Sequence, residues 1–158
     1  MDEIKNFLNV LNMALDMLYH NDQYLIYHGE DYHVSERSIT HKLGAYLAMH
    51  LEDYDVDCEY NRAGDTRKEI KLGKGIIPDI IIHKRGTDMN NFVAIEVKPW
   101  WNANFEADIK KLKKLTRLNN RDSNVKYKYG ISLAIYKTRE DVDVKSRVFS
   151  NGKNIMIL

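Results

Sequence analysis

A chain of 158 residues with a 44% hydrophobic and 30% charged composition fits one soluble globular domain with enough apolar side chains for a real core. Its single cysteine, Cys58, excludes an internal disulfide framework and fits a reducing compartment. The net charge of +1 excludes a uniformly basic or acidic protein, yet residues 1–60 carry 12 Asp/Glu and 3 Lys/Arg (a balance of −9), while residues 61–158 carry 11 and 21 (+10). Such a split implies either a face suited to a polyanion or two halves that neutralise each other across the fold.

The start, MDEIKNFLNV, lacks the basic opening and unbroken apolar run of a signal peptide. No apolar stretch approaches the roughly 18 residues of a membrane span. The expectation is a cytoplasmic protein with no membrane partner. No repeat, low-complexity tract or linker divides the chain, so 1–158 reads as one domain.

Ile4, Phe7, Leu8, Leu11, Leu15 and Leu18 follow a 3.6-residue period and predict an amphipathic helix from Asp2 to about Tyr19. A second helix is predicted from about Ser35, a suitable N-cap, to Leu51, with Ile39, Leu43, Tyr46, Leu47 and Leu51 on one stripe. Glu36 then lies in its first turn, three residues before the buried stripe begins. Val56 to Tyr60 alternates and predicts a strand, and the glycine-rich, charged stretch 61–75 predicts a loop or loose hairpin. Ile76 to His83 is β-branched and predicts a buried strand, with Pro78 tolerated near its start. A polar turn over 84–91 leads to a strand from Phe92 to Lys98, stopped by Pro99. A helix follows over 104–118, then a buried strand over 129–136 and short edge strands near Val148-Phe149 and 155–158. The expected fold class is α/β, a mixed central sheet flanked by helices.

Two of these strands carry carboxylates inside apolar runs. Asp79 lies among five isoleucines, and Glu96 and Lys98 lie within VAIEVK. Residues two apart on a strand share a face, so Glu96 and Lys98 point the same way. Unpaired buried charge is costly and needs compensation. A divalent cation between Asp79 and Glu96 would supply it, and hard oxygen ligands suit Mg²⁺ or Mn²⁺. Either strand alone is more simply read as holding a buried ion pair with Lys98.

The combination is more specific. Pro78-Asp79, then 16 residues, then Glu96-Val97-Lys98 resembles the PD-(D/E)XK signature of restriction-endonuclease-like nucleases. Glu36 resembles the acidic residue that many of them carry on the helix before the sheet. The segments SERSITHKLGAYL, DVDCEYNR, IIPDIIIHKRG and VAIEVK look like small standalone members of that superfamily. The resemblance covers about 33–136 and implies an αβββαβ core with an extra N-terminal helix. It further implies a Mg²⁺- or Mn²⁺-dependent nuclease, with DNA the expected substrate. Glu36, Asp79, Glu96 and Lys98 would be catalytic, and Asp79, Glu96, the Val97 carbonyl and Glu36 would hold the metal. Lys98 would orient the attacking water or stabilise the transition state. The alternative is a weakly active or inactive nucleic-acid-binding module, or a protein-interaction subunit using the acidic N-terminal helices.

Around this set, Lys110, Lys111 and Lys114 on the helix, and Arg62, Arg67 and Lys74 in the 61–75 stretch, are weak candidates for phosphate contact. A solvated helix face is the plainer reading of Lys111 and its neighbours. Trp100 or Trp101 is a candidate for stacking on a base, with core packing expected for at least one. His83 shares the Asp79 strand face and is expected near the site. His20, His28, His33, His41 and His50 lack a compact metal-ligand spacing. Cys58 is expected to be a small buried residue. A homodimer is compatible with the chain, as dimers are common among nucleases that cut both strands, but no segment marks an interface.

Overall fold

The computed structural model describes residues 2–27, 33–63, 66, 67, 69, 70, 74–87, 90–102, 104–119 and 125–158. Three helices come first: α1 (Asp2–Asn21), α2 (Gln23–Ile26) and α3 (Glu36–Ala48). The predicted stripe of α1 is buried at Ile4, Phe7, Leu11, Leu15 and Leu18, while Leu8 is half-buried against it. Ser35 caps α3, its side chain accepting from the Arg37 amide at 3.3 Å. The short α2 was not foreseen, since four residues are too few to show a period.

Strand β1 (Asp55–Cys58) is followed by four two-residue strands, β2 (Arg62–Ala63), β3 (Thr66–Arg67), β4 (Glu69–Ile70) and β5 (Lys74–Gly75). These four pair as two small ladders apart from the main sheet, in the stretch read as a loose hairpin. Next come β6 (Ile80–His83), β7 (Val93–Pro99), α4 (Glu106–Leu115), β8 (Tyr129–Ile135), α5 (Glu140–Lys145), β9 (Arg147–Ser150) and β10 (Lys153–Ile157). Gly86, at φ +74°, helps turn the chain between β6 and β7, a conformation glycine adopts without steric cost. The helix α5, with Val142 buried, is six residues long, too short to show a period in the sequence.

The six main strands run in the order β1-β6-β7-β8-β9-β10. The β1-β6 and β6-β7 pairs are antiparallel, β7-β8 is parallel, and β8-β9 and β9-β10 are antiparallel. The sheet is therefore mixed, and the protein is α/β. The parallel pair requires a crossover, which α4 supplies.

Strand alternation sorts the core. Ile80, Ile82, Val93, Ile95, Val97, Ile131 and Leu133 pack with α1 and α3. Ile81, Ala94 and Phe149 face the other way and pack with Leu112 and Leu115 of α4. Among the described residues, no helix is long and apolar enough to cross a membrane.

Two predicted boundaries move for a physical reason. The β6 ladder begins at Ile80 rather than Ile76, because Pro78 has no N–H to donate. The β7 strand runs through Pro99, which pairs with Ile135 as its last residue.

Gly130 of β8 sets how closely α4 approaches the sheet. A Cβ there would lie 3.1 Å from Thr116 Cγ2 and 3.2 Å from Leu112 Cδ2. Gly130→Val is expected to lose about 1–3 kcal/mol of stability by overpacking this seam. A urea midpoint for Gly130→Val equal to that of the wild type would refute this packing argument.

Candidate functional site

The period-2 alternation of β7 turns Ala94, Glu96 and Lys98 toward the α4 layer, opposite the side packed by Val93, Ile95 and Val97. Glu96 is only 2% exposed. Asp79 lies just before β6, and its Oδ2 accepts the Val97 amide at 2.7 Å. Continuing the register that sets Ile80 opposite Ile95 brings Pro78 opposite Val97. The ladder ends at the Ile80–Ile95 pair, and just beyond it the Asp79 side chain serves as acceptor for the Val97 amide, which fixes its carboxylate against the strand that carries Glu96.

Glu36 arrives from a different layer, in the first turn of α3 just past the Ser35 cap. Lys98 Nζ donates to Glu36 Oε1 at 3.0 Å and lies 3.4 Å from Asp108 Oδ2. Asn102, held in a turn by the Pro99 carbonyl, donates to Glu36 Oε2 at 3.3 Å. From α4, Lys111 Nζ reaches Glu96 Oε2 at 2.6 Å and donates to the Ile77 carbonyl at 3.4 Å. Asp108 and Lys111 are three apart and share a helix face. The four residues singled out in the sequence are thereby linked: Glu36 to Lys98, and Asp79 to the β7 backbone beside Glu96.

Six charged side chains meet here, the carboxylates of Glu36, Asp79, Glu96 and Asp108 and the ammoniums of Lys98 and Lys111. With all ionised, two negative charges are left over. The strain shows in the atoms: among the described residues Glu96 Oε1 is buried without a hydrogen-bond partner, and buried Asp108 Oδ2 has only the Lys98 ammonium at 3.4 Å, a costly state for a carboxylate. Burial pushes the Glu96 carboxyl up to about 8, against the opposing pull of Lys111 and reinforced by the Asp79 charge. Burial likewise raises Asp79, against the Val97 hydrogen bond. Burial works against the Lys98 charge, but its bond to Glu36 and the charge of Asp108 outweigh it and hold Lys98 above its ordinary value. Among the described residues, no three His, Cys, Asp or Glu side chains are gathered as a ready cage for an ion. Both lysines instead occupy carboxylate oxygens.

A cleft of about 500 Å³ opens beside this set, lined by Glu36, Arg37, His41, Cys58, Glu59 and Asp79. Arg37 and Glu59 bridge across it at 2.9 Å. Cys58 is exposed rather than buried, because β1 is the edge strand of the sheet. Its Sγ nevertheless turns toward the Thr40 carbonyl at 3.7 Å. Partial burial of the thiol and nearby acids push it up to about 11, which disfavours a thiolate nucleophile.

The remaining sequence candidates divide. Lys111 is drawn into the site and is not part of a solvated face. Lys110 and Lys114 are exposed on α4, and Arg62 is exposed on β2. The side chains of Arg67 and Lys74 lie outside the described residues, as does His28. His83 turns away from the carboxylates and into the sheet edge. Its Nε2 lies 2.8 Å from Asp57 Oδ2, and its ring packs on Tyr60 at 4.8 Å. Arg85 holds the same aspartate, and this contact, with help from His83, keeps the Asp57 carboxyl below the usual carboxylate range despite burial. Trp100 donates its indole N–H to the Ile26 carbonyl at 3.0 Å, and Trp101 stacks on His33 at 4.7 Å. Both tryptophans are half-buried in local packing.

Two members of the site carried no assigned role in the sequence, Asp108 and Asn102. Only the three-residue spacing of Asp108 and Lys111 on a helix after the VAIEVK strand could have flagged the first.

Comparison with protein-family models, curated proteins and solved structures found no match.

The raised Glu96 pKa makes stability depend on pH. Folding then favours the protonated acid, so this contribution is whole below 4.5 and is lost as pH rises toward about 8. In metal-free buffer the thermal midpoint should fall across that interval, and Glu96→Gln should flatten the slope. Equal slopes for wild type and Glu96→Gln would refute this.

Proposed function

We propose that this chain is a metal-dependent nuclease that hydrolyses phosphodiester bonds in DNA. The observation that carries the reading is Glu96. This carboxylate is 2% exposed, has Asp79 beside it, meets the Lys111 ammonium through Oε2 alone, and keeps Oε1 without a hydrogen-bond partner among the described residues, which leaves a hard oxygen donor for a divalent cation. The leftover charge of the six-residue set equals that of one divalent ion. The donors are hard oxygens, which suit Mg²⁺ or Mn²⁺.

The order of elements lends support to a restriction-endonuclease-like arrangement. The antiparallel run β1-β6-β7, with α3 before it, then α4 and the parallel β8, follows the αβββαβ order of that core. The spacing from Pro78-Asp79 to Glu96-Val97-Lys98 and the position of Glu36 add to this support.

Asp79, Glu96 and the Val97 carbonyl would hold the ion, with Glu36 completing the shell directly or through water. When bound, such an ion lowers the pKa of a coordinated water and offsets charge on the scissile phosphate. The chain's own residues do the rest. Lys98, oriented by Glu36 and Asp108, directs its Nζ toward the place where the water attacks phosphorus and charge builds on the phosphoryl oxygens. The phosphorus–oxygen ester bond then breaks, and the leaving oxygen takes up a proton. Asn102 fixes Glu36, which in turn fixes Lys98. The cleft past Arg37 and His41 gives the backbone of a nucleic acid a way in.

Plasmid, linear and single-stranded DNA, each with Mg²⁺, Mn²⁺ or EDTA, provide the test. Cleavage should require the metal, and Lys98→Ala should lose about 10²–10³ in rate while keeping its far-UV circular dichroism. Salt-sensitive DNA binding without cleavage by the wild type would mark a binding module instead and overturn the nuclease reading.

A further inference from the structure

We propose that Lys111 is a resident cation that holds the place of the divalent ion on Glu96 and is handed to a substrate phosphate when the ion enters. This rests on the nuclease reading above. Lys111 Nζ sits 2.6 Å from Glu96 Oε2 and 3.4 Å from the Ile77 carbonyl that it bonds. One carboxylate oxygen and one backbone carbonyl are the kind of donors a hard cation takes. The ammonium thus occupies a cation position at the one carboxylate in the set that is almost wholly removed from water.

The two lysines of the site divide the work. Lys98 comes from the strand and is held by two partners, Glu36 and Asp108. Lys111 comes from the helix opposite, is ion-paired with Glu96, and its charge also bears on Asp79. Its side chain remains 25% exposed, so its four-carbon stem has a route outward. An ammonium and a divalent ion on one carboxylate repel each other, and the ion carries twice the charge. The ion therefore wins Glu96. Lys111, released on a flexible stem, is then a free positive charge at the rim of the site as a phosphate arrives. The charge count favours the same exchange. The ion brings two charges where Lys111 supplied one, so its entry leaves the carboxylates better neutralised even after Lys111 has moved to the phosphate.

A lysine seated on the ion's own carboxylate must leave it for the ion to bind, beyond the repulsion that any nearby ammonium exerts. Mn²⁺ titrated calorimetrically into wild type and Lys111→Met should show about tenfold tighter binding by the variant, since a competing charge has been removed. The metal-free thermal midpoint of Lys111→Met should fall, and saturating Mn²⁺ should raise it by more than it raises the wild type. Equal or weaker Mn²⁺ binding by Lys111→Met overturns the assignment of Lys111 and leaves the nuclease reading standing. Absence of Mn²⁺ binding by both proteins overturns the metal reading itself. Should Lys111→Met fail to fold, the wild type decides. With ¹³C-labelled lysine, the Lys111 ε-carbon signal, assigned by its loss in Lys111→Arg, should shift on addition of Mg²⁺, and a signal that stays in place counts against the exchange.

Discussion

Pro78 has no amide hydrogen to give the sheet, and the strand after it begins only at Ile80. Beyond the last ladder pair, Ile80 with Ile95, the Val97 amide needs an acceptor in a buried place, and the Asp79 carboxylate supplies it at 2.7 Å. This one bond joins fold and site. It closes the end of the β6-β7 ladder and fixes an acidic group beside β7, next to Glu96. A serine or asparagine at 79 could also accept such an amide, but would bring no charge. The sequence carries an aspartate, and with it an electrostatic debt that the surrounding groups only partly cover.

Layer geometry determines what gathers at that point. The alternation of β7 gives Val93, Ile95 and Val97 to the α1/α3 side, so Glu96 and Lys98 must face α4. Gly130 lets α4 settle close on the sheet, against Leu112. The same seating brings Asp108 and Lys111 into contact range of Lys98 and Glu96. Glu36 crosses from the opposite layer because it stands in the first turn of α3, at the sheet's end. Packing against both faces of the sheet thus converges on one small polar cluster. A change in core volume near Gly130 would be felt there as a change in distance between charges.

How much of this was legible follows from range. The helix stripes, the Ser35 cap and the alternation of VAIEVK are local patterns, and each reappears in α1, α3 and β7. Strand periodicity put Glu96 beside Lys98, while the grouping of Asp79 and Glu36 with them was what the resemblance to the PD-(D/E)XK signature implied. Asp108 and Asn102 were not, because each meets its partner only after α4 and the turn at Pro99 are docked. His83 shows the limit of face arguments. Sharing a strand face with Asp79 did not decide its neighbours, since Asp57 on the adjoining strand, itself held by both arms of Arg85, captures it first. Cys58 was expected to be buried from its residue type, but the edge position of β1 is a property of the sheet order. The short helices α2 and α5 are shorter than any period that could announce them.

The opposed charges of the two halves now have a physical account. Glu3 pairs with Lys128, Asp16 with Arg139, Asp57 with Arg85, and Glu36 with Lys98. In each, an acid from the first sixty residues meets a base from the remainder. Much of the asymmetry is therefore used in holding the α1/α3 layer and the β1 edge to the rest of the protein. This weakens any reading of the acidic N-terminal half as a docking face, since several of its charges are already spent. It also sharpens the contrast with the carboxylate cluster, where pairing is incomplete. On the surface, acids and bases find one another at low cost and modest gain. At Glu96, water is excluded and the partner count falls short. Burial that raises Glu96 despite its Lys111 partner is what the proposed nuclease reading rests on, more than the exposed lysines of α4.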